Sequence, residues 1–278
     1  MEKGTPIYTG ARGESFGIRQ ENRQKFRTSP PAGSGVRPVT GVIALAEAGI
    51  VTGIFAALAY RLGMVSRGGA AGGFAVGVAI YAALGPAGFS VLALFVICAS
   101  VLTKVGYARK LSRRVAEAGR GRRGARNALA NCAVAVICAL LAAASGRPEA
   151  LTAAFVAAIG AAFADTVESE LGQLAARRPR LITSLRSVPP GTDGAVSLPG
   201  TLAGVGAAAL TAGVGAAVGL IGSWAGAVVV ALAAFAGTLV DSWVGAVVPR
   251  AGNELTNVLC TLSAAALAAL GVVVVLAA

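Results

Sequence analysis

From Val39 to Ala278 the chain is a succession of apolar stretches, most of them about as long as the hydrocarbon core of a bilayer is thick. A helix needs about 20 mostly apolar residues to cross that core. In lipid, every backbone N–H and C=O must find its partner within the chain, so such stretches form helices rather than open strands or loops. Candidate spans cover residues 39–60, 68–84, 87–103, 127–144, 150–164, 201–221, 224–248 and 254–278. The expectation is an all-α, polytopic transmembrane helix bundle of about eight spans, or seven if one of the first three segments does not cross. Charged residues make up 13% of the chain, against roughly a quarter in ordinary globular proteins, which agrees with most of the chain lying in lipid.

The spans are built from Ala, Gly, Val and Leu with few aromatics. Small residues let helices approach closely where packing, not the hydrophobic effect, drives association. Gly69, Gly73 and Gly77 recur at a spacing of four, and so lie on one helix face as a packing surface. Gly85-Pro86 separates the second span from the third. Residues 1–38 are polar, basic and rich in Gly, Ser and Pro, and read as a disordered tail ahead of the transmembrane domain at 39–278.

The net charge of +12 is carried by that tail and by the loops, above all by 104–126 and 178–186. Positive charge flanking spans marks the cytoplasmic side, so headgroups and topology account for it, and no nucleic-acid partner is implied. Counting from the two basic loops puts residues 61–67, 104–126, 165–199 and 249–254 together on the cytoplasmic face. The same count puts the basic tail outside, where the charge rule would not place it. The chain reads as an integral protein of a prokaryotic inner or plasma membrane, with its working loops in the cytoplasm.

There is no histidine. Ser-His triads, His-liganded zinc and His-liganded haem are therefore excluded. Cys98, Cys132, Cys138 and Cys260 all fall in apolar runs, at spacings that match no metal site, and read as small buried thiols.

The remaining polar groups converge on one face. Asp165, Glu168 and Glu170 lie within six residues at the end of an apolar run, where carboxylates are costly. On a helix Asp165 and Glu168 share a side. Asp241-Ser242 repeats the pattern of Asp165-Thr166 near the end of another outside-to-inside span. Asn253, Glu254 and Asn257 follow a tight turn, with helix capping by Asn253 the simpler account of the first. Hard oxygen ligands of this kind suit Mg²⁺ or Mn²⁺. Ser197, Gly200 and Thr201 open a helix after a Gly-rich turn, where free N–H groups can meet a phosphate; Lys104, Arg109 and Arg186 could supply charge. Carboxylates for a divalent metal, a phosphate turn and basic loops together make equipment for phosphoryl transfer.

These residues carry a resemblance. Ala164-Asp165-Thr166, Ser169-Glu170-Leu171-Gly172, Val188-Pro189-Pro190-Gly191-Thr192, Gly194 through Ala203 and Asp241-Ser242 resemble the integral membrane domain-of-unknown-function family that includes the chloroplast phytyl-phosphate kinase of tocopherol synthesis. Ser66-Arg67-Gly68-Gly69, Leu129-Ala130-Asn131 and Asn253-Glu254 add to it. The chain is more distantly similar to phytol and dolichol kinases. Val167, Glu168 and Glu254 depart from the family pattern.

The resemblance implies a membrane-embedded kinase that converts an isoprenyl monophosphate (phytyl, geranylgeranyl or farnesyl in type) to the diphosphate, with CTP or another nucleoside triphosphate as co-substrate and Mg²⁺ or Mn²⁺ as cofactor. It implies Asp165, Glu170 and Asp241 as catalytic residues and metal ligands; Glu168 and Glu254, which depart from the family pattern, join them as candidate metal ligands on their carboxylate chemistry alone. Lys104, Asn131, Arg186, Ser197, Gly200, Thr201, Asn253 and Asn257 become the nucleotide-side candidates. Two other readings stand beside it: a CTP-dependent lipid cytidylyltransferase, which uses the same parts, and a small-solute or ion transporter with Glu47 and Asp241 as midplane acids on an ion path. The kinase and cytidylyltransferase readings both require Asp165 and Asp241 to face one another at the rim.

Overall fold

The structure, a computed structural model, describes Met1 and residues 41–145, 148–175, 178–248 and 251–277. The basic tail at 1–38 and the start of the first span lie outside the described residues, Met1 apart. Nine helices and one short strand pair are described: α1 Val42–Arg61, α2 Arg67–Lys104, α3 Tyr107–Ser112, α4 Ala118–Gly121, α5 Ala125–Ala144, α6 Pro148–Ala175, β1 Arg180–Leu181, β2 Ala195–Val196, α7 Leu198–Ala217, α8 Trp224–Val247 and α9 Gly252–Ala277. Seven of them (α1, α2 and α5 to α9) are long and apolar enough to cross a membrane. The all-α membrane bundle expected from the sequence is the observed architecture.

The helix α2 covers both the second and third expected spans. It is 38 residues long, and if straight its ends would lie about 57 Å apart. Yet Lys104 Nζ at its end donates to Leu62 O just before its start, at 2.8 Å. The helix therefore doubles back. The reversal is at Gly85, at φ 64° and ψ −158°, a region open in practice to glycine alone. Pro86, which lacks an N–H, then opens the second leg. Two legs, 67–84 and 86–104, lie side by side, and the Tyr81 and Phe89 rings stand 5.8 Å apart across the bend. With α2 counted as two legs, the bundle has the eight segments read from the sequence.

The helix α6 is the axle. Residues from Ala153 to Ala164 are at most 3% exposed, because α2, α5, α7, α8 and α9 all pack around it. Its small residues permit this: a methyl at Gly160 would already press on Ala234 Cβ at 3.2 Å. The axle does not stop at Ala164 as the sequence suggested. It runs on to Ala175, through the acidic stretch read as the start of a loop. Val167 stays buried on it, the Thr166 hydroxyl bonds back to Ala162 O at 2.9 Å, and Arg113 Nη1 donates to Gln173 O at 2.6 Å near its end.

All the polar ends of these helices meet at one end of the bundle. Ser66 N donates to Arg123 O at 3.0 Å, drawing the start of α2 to the loop ahead of α5. The β1–β2 pair, antiparallel with Arg180 opposite Val196, folds the segment between α6 and α7 over the same end. That segment presses on α8, since a methyl at Gly194 would fall 2.5 Å from Ala246 Cβ. One shared polar face was the sequence expectation, and the contacts produce it.

Candidate active site

At that end of the bundle is a cavity of about 300 Å³. Asp165, Thr166 and Glu168 enter it from α6, Asp241 and Ser242 from α8, Asn253, Thr256 and Asn257 from α9, and Asn127 and Asn131 from α5. Asp193 and Gly194 roof it from the strand segment, and Ser197, Gly200 and Thr201 border it from the start of α7.

Asp165 and Asp241 both line this cavity. The charges of Asp241, Glu168 and Arg123 all bear on Asp165. Asp241 shares the cavity with Asp193 and Thr256, whose hydroxyl donates to Asn253 O at 3.3 Å. Asp241 Oδ1 is buried with no hydrogen-bond partner in the protein. A buried carboxylate oxygen is rarely left unsatisfied in a native structure, so this atom is available to a water or a ligand in the cavity. Glu168 Oε1 accepts from the Thr238 hydroxyl at 3.1 Å. It fits beside α7 because residue 204 is glycine; a Cβ there would collide with the Glu168 carboxylate.

Several sequence candidates have other work. Glu170 is 7% exposed and forms an ion pair with Lys110 Nζ at 2.5 Å. Lys110 is fully buried, and its other two protons go to Leu102 O at 3.1 Å and Thr103 O at 2.8 Å. A lysine has three donors, so all are used and Glu170 is committed to this lock between α3 and α6. It stands at the cavity wall as a brace rather than a free ligand. Glu254, Lys104 and Arg186 do not line the cavity. Lys104 is exposed and donates to Leu62 O, and Arg186 lies on the exposed strand segment.

The start of α7 is also less open than its sequence implies. Ser197 caps the helix by accepting from Gly200 N at 3.3 Å, and Pro199 has no N–H to offer. Gly200 is buried against Glu168 O and Gly172. Ser197 and Gly200 are thus a cap and a packing contact, and Thr201 remains as the residue bordering the cavity. Asn253 falls within the first turn of α9 rather than ahead of it. Glu47, the other intramembrane acid, accepts from Tyr81 Oη at 2.6 Å near the bend of α2 and is not among the cavity residues.

The group that sequence reasoning passed over is Arg123, one of nine Lys and Arg residues in 104–126. Among the described residues it is the only Lys or Arg lining the cavity. Nη1 donates to Asn127 Oδ1 at 3.2 Å, and Nη2 reaches the Thr103 and Thr166 hydroxyls at 3.4 Å. Nε is buried with no partner. Asn131 Nδ2 meets the same Asn127 Oδ1 at 3.3 Å. The signal was local: Arg123, Asn127 and Asn131 are spaced by four into the first turns of α5.

Among the described residues no three His, Cys, Asp or Glu side chains are grouped closely enough to hold a metal alone. Mg²⁺ does not need such a cage. It commonly takes one or two carboxylates and completes its shell with water and substrate phosphates. Asp165 and Asp241, with the orphaned Oδ1, fit that use.

A family model described as "Integral membrane protein DUF92" matches residues 50–260. An uncharacterised membrane protein of Synechocystis sp. is 37% identical over 199 residues, covering 69% of this chain and 77% of its own. The chloroplastic protein VTE6 of Arabidopsis thaliana is 34% identical over 145 residues, 51% of this chain and 44% of VTE6. An uncharacterised membrane protein of Methanocaldococcus jannaschii is 36% identical over 186 residues, 63% of this chain and 73% of its own. No solved structure matches.

Proposed function

The chain belongs to the integral membrane protein family DUF92, and from that membership together with the cavity we propose that it is a lipid phosphotransferase, moving the terminal phosphoryl group of a nucleoside triphosphate, CTP by preference, to an isoprenyl monophosphate. The observation that carries this is the gathering of Asp165, Glu168, Asp241 and Arg123 in one cavity where the helices end. Acids able to hold a divalent ion and a guanidinium in the same cavity are what a transferring phosphoryl group requires, since its catalysis is positioning and charge stabilisation. The motif block that resembles the isoprenyl-phosphate kinase supports the acceptor class.

Asp165 and Asp241 would hold Mg²⁺ or Mn²⁺, with Glu168 beside them. The ion, when bound, screens the phosphate oxygens and orients them. Arg123 binds the acceptor phosphate, presenting its unpartnered Nε and held in place by Asn127, Thr103 and Thr166. An acceptor phosphate oxygen forms the new P–O bond at the terminal phosphorus, the bond to the departing nucleoside diphosphate breaks, and no redox change occurs. Asn131, Thr201, Asn253 and Asn257 offer polar contacts to the nucleotide.

The test is purified protein in lipid with Mg²⁺, a panel of nucleoside triphosphates and prenyl monophosphates, read by product mass. Gain of one phosphoryl group on the lipid is the expected result. Gain of a nucleotide would make the protein a cytidylyltransferase, and no product from any pair would overturn the proposal.

A further inference from the structure

A second cavity lies deeper in the bundle, a slot of about 70 Å³ between α1, the two legs of α2 and α5. Phe55, Ala56 and Ala59 of α1 form one wall, with Gly73, Val76 and Val96 of α2 opposite. Two of its residues, Arg123 and Asn127, also line the polar cavity. We propose that this slot takes the leading carbons of the acceptor's isoprenoid chain while its phosphate rests on Arg123 at the junction.

This deepens the isoprenyl-phosphate reading and rests on it. Continuity is the first support: a molecule with an anionic head and an apolar tail finds, in order, a guanidinium with a free buried Nε and then a carbon-lined slot. The second is access. Among the described residues the helix α1 packs on α2 and makes no comparable contact with another helix, so of these helices α1 alone closes the slot on that side. A lipid acceptor arriving in the plane of the membrane has to pass one wall. The third is room at a defined point. A Cβ at Gly73 would meet nothing within 4 Å, which shows that the glycine face of α2 is not filled by packing at this position. The volume suits the first carbons of a chain, with the remainder lying in the bilayer.

The test uses the full protein in nanodiscs with geranylgeranyl monophosphate carrying a diazirine on its first isoprene unit. The probe is photolysed without nucleotide, and labelled peptides are mapped by mass spectrometry. Label is expected on α1 at 55–59 and on α2 at 73–76 and 89–96, and it is expected to be competed by unlabelled geranylgeranyl monophosphate. Gly73→Leu fills the slot and should cut that label about tenfold, the effect of losing roughly two buried methylenes. If Gly73→Leu fails to reach the membrane, Ala56→Phe on the opposite wall carries the same expectation. Label concentrated on the lipid-facing sides of α7 to α9, or slot label indifferent to both substitutions, overturns the proposal. Transfer is assayed separately. Slot label without product removes the kinase and leaves the slot; product with label elsewhere removes the slot and leaves the kinase.

Discussion

Asp241 and Glu170 are both acids at the end of the bundle, but their surroundings give them opposite roles. Asp241 has a buried oxygen with no partner, and Glu170 has a buried lysine whose three donors are all used. Asp241→Asn should therefore lower transfer on the order of 10²- to 10³-fold, as removal of a charge-stabilising group does. Its thermal midpoint should be unchanged or higher, because unsatisfied site groups are kept at a cost to stability; turnover and melting of the same preparation check this. Lys110→Met should destabilise by about 3–5 kcal/mol, since it leaves a buried carboxylate alone. Lys110→Met with Glu170→Met should restore stability and retain turnover, whereas a double variant that is stable but inactive would make Glu170 a ligand. Composition and spacing marked both acids. What divides them is Lys110, sixty residues away in sequence, and no local pattern marks it as the lysine that turns inward to Glu170. Arg123 is different: its spacing of four from Asn127 and Asn131 was a local sign, but it stood among eight other basic residues in 104–126.

At the scale of elements, spans were legible and their ends were not. The apolar runs located every long helix, and Gly85-Pro86 marked the bend in α2. The sequence did not show that α6 continues through Asp165 to Ala175, because three carboxylates read as the end of a span when the distant partners of Glu170 and Glu168, Lys110 and Thr238, are out of sight. Glycines in the 191–204 block read as a phosphate turn, yet the fold uses Gly200 and Gly204 to bring α7 onto α6 beside Glu168. Two predictions belong here. Gly85→Ala should cost about 1–3 kcal/mol by forcing a side chain into a glycine-only backbone region, measured by thermal unfolding in detergent. Gly204→Val should displace the Glu168 carboxylate and weaken Mg²⁺–nucleotide binding while the bundle still forms, which a nucleotide thermal-shift titration would register.

For the molecule as a whole, the gathering of the connections after α1, α2, α6 and α8 at one end means that they share one side of the membrane. The charge rule for basic loops predicts the cytoplasm for this side. In a background lacking the four native cysteines, Ser184→Cys on the strand segment should react with an impermeant maleimide only in inverted vesicles, and Gly222→Cys at the far end only in right-side-out ones. The reverse pattern would place the site outside. The position of the cavity, at the end of the helices with an apolar slot beside it, has a kinetic consequence. One reactant comes from a volume and the other from a plane. The rate should follow the mole fraction of acceptor among the membrane lipids, so that adding inert lipid slows the protein at constant molar acceptor, while diluting the whole suspension at saturating nucleotide leaves each molecule turning over as before.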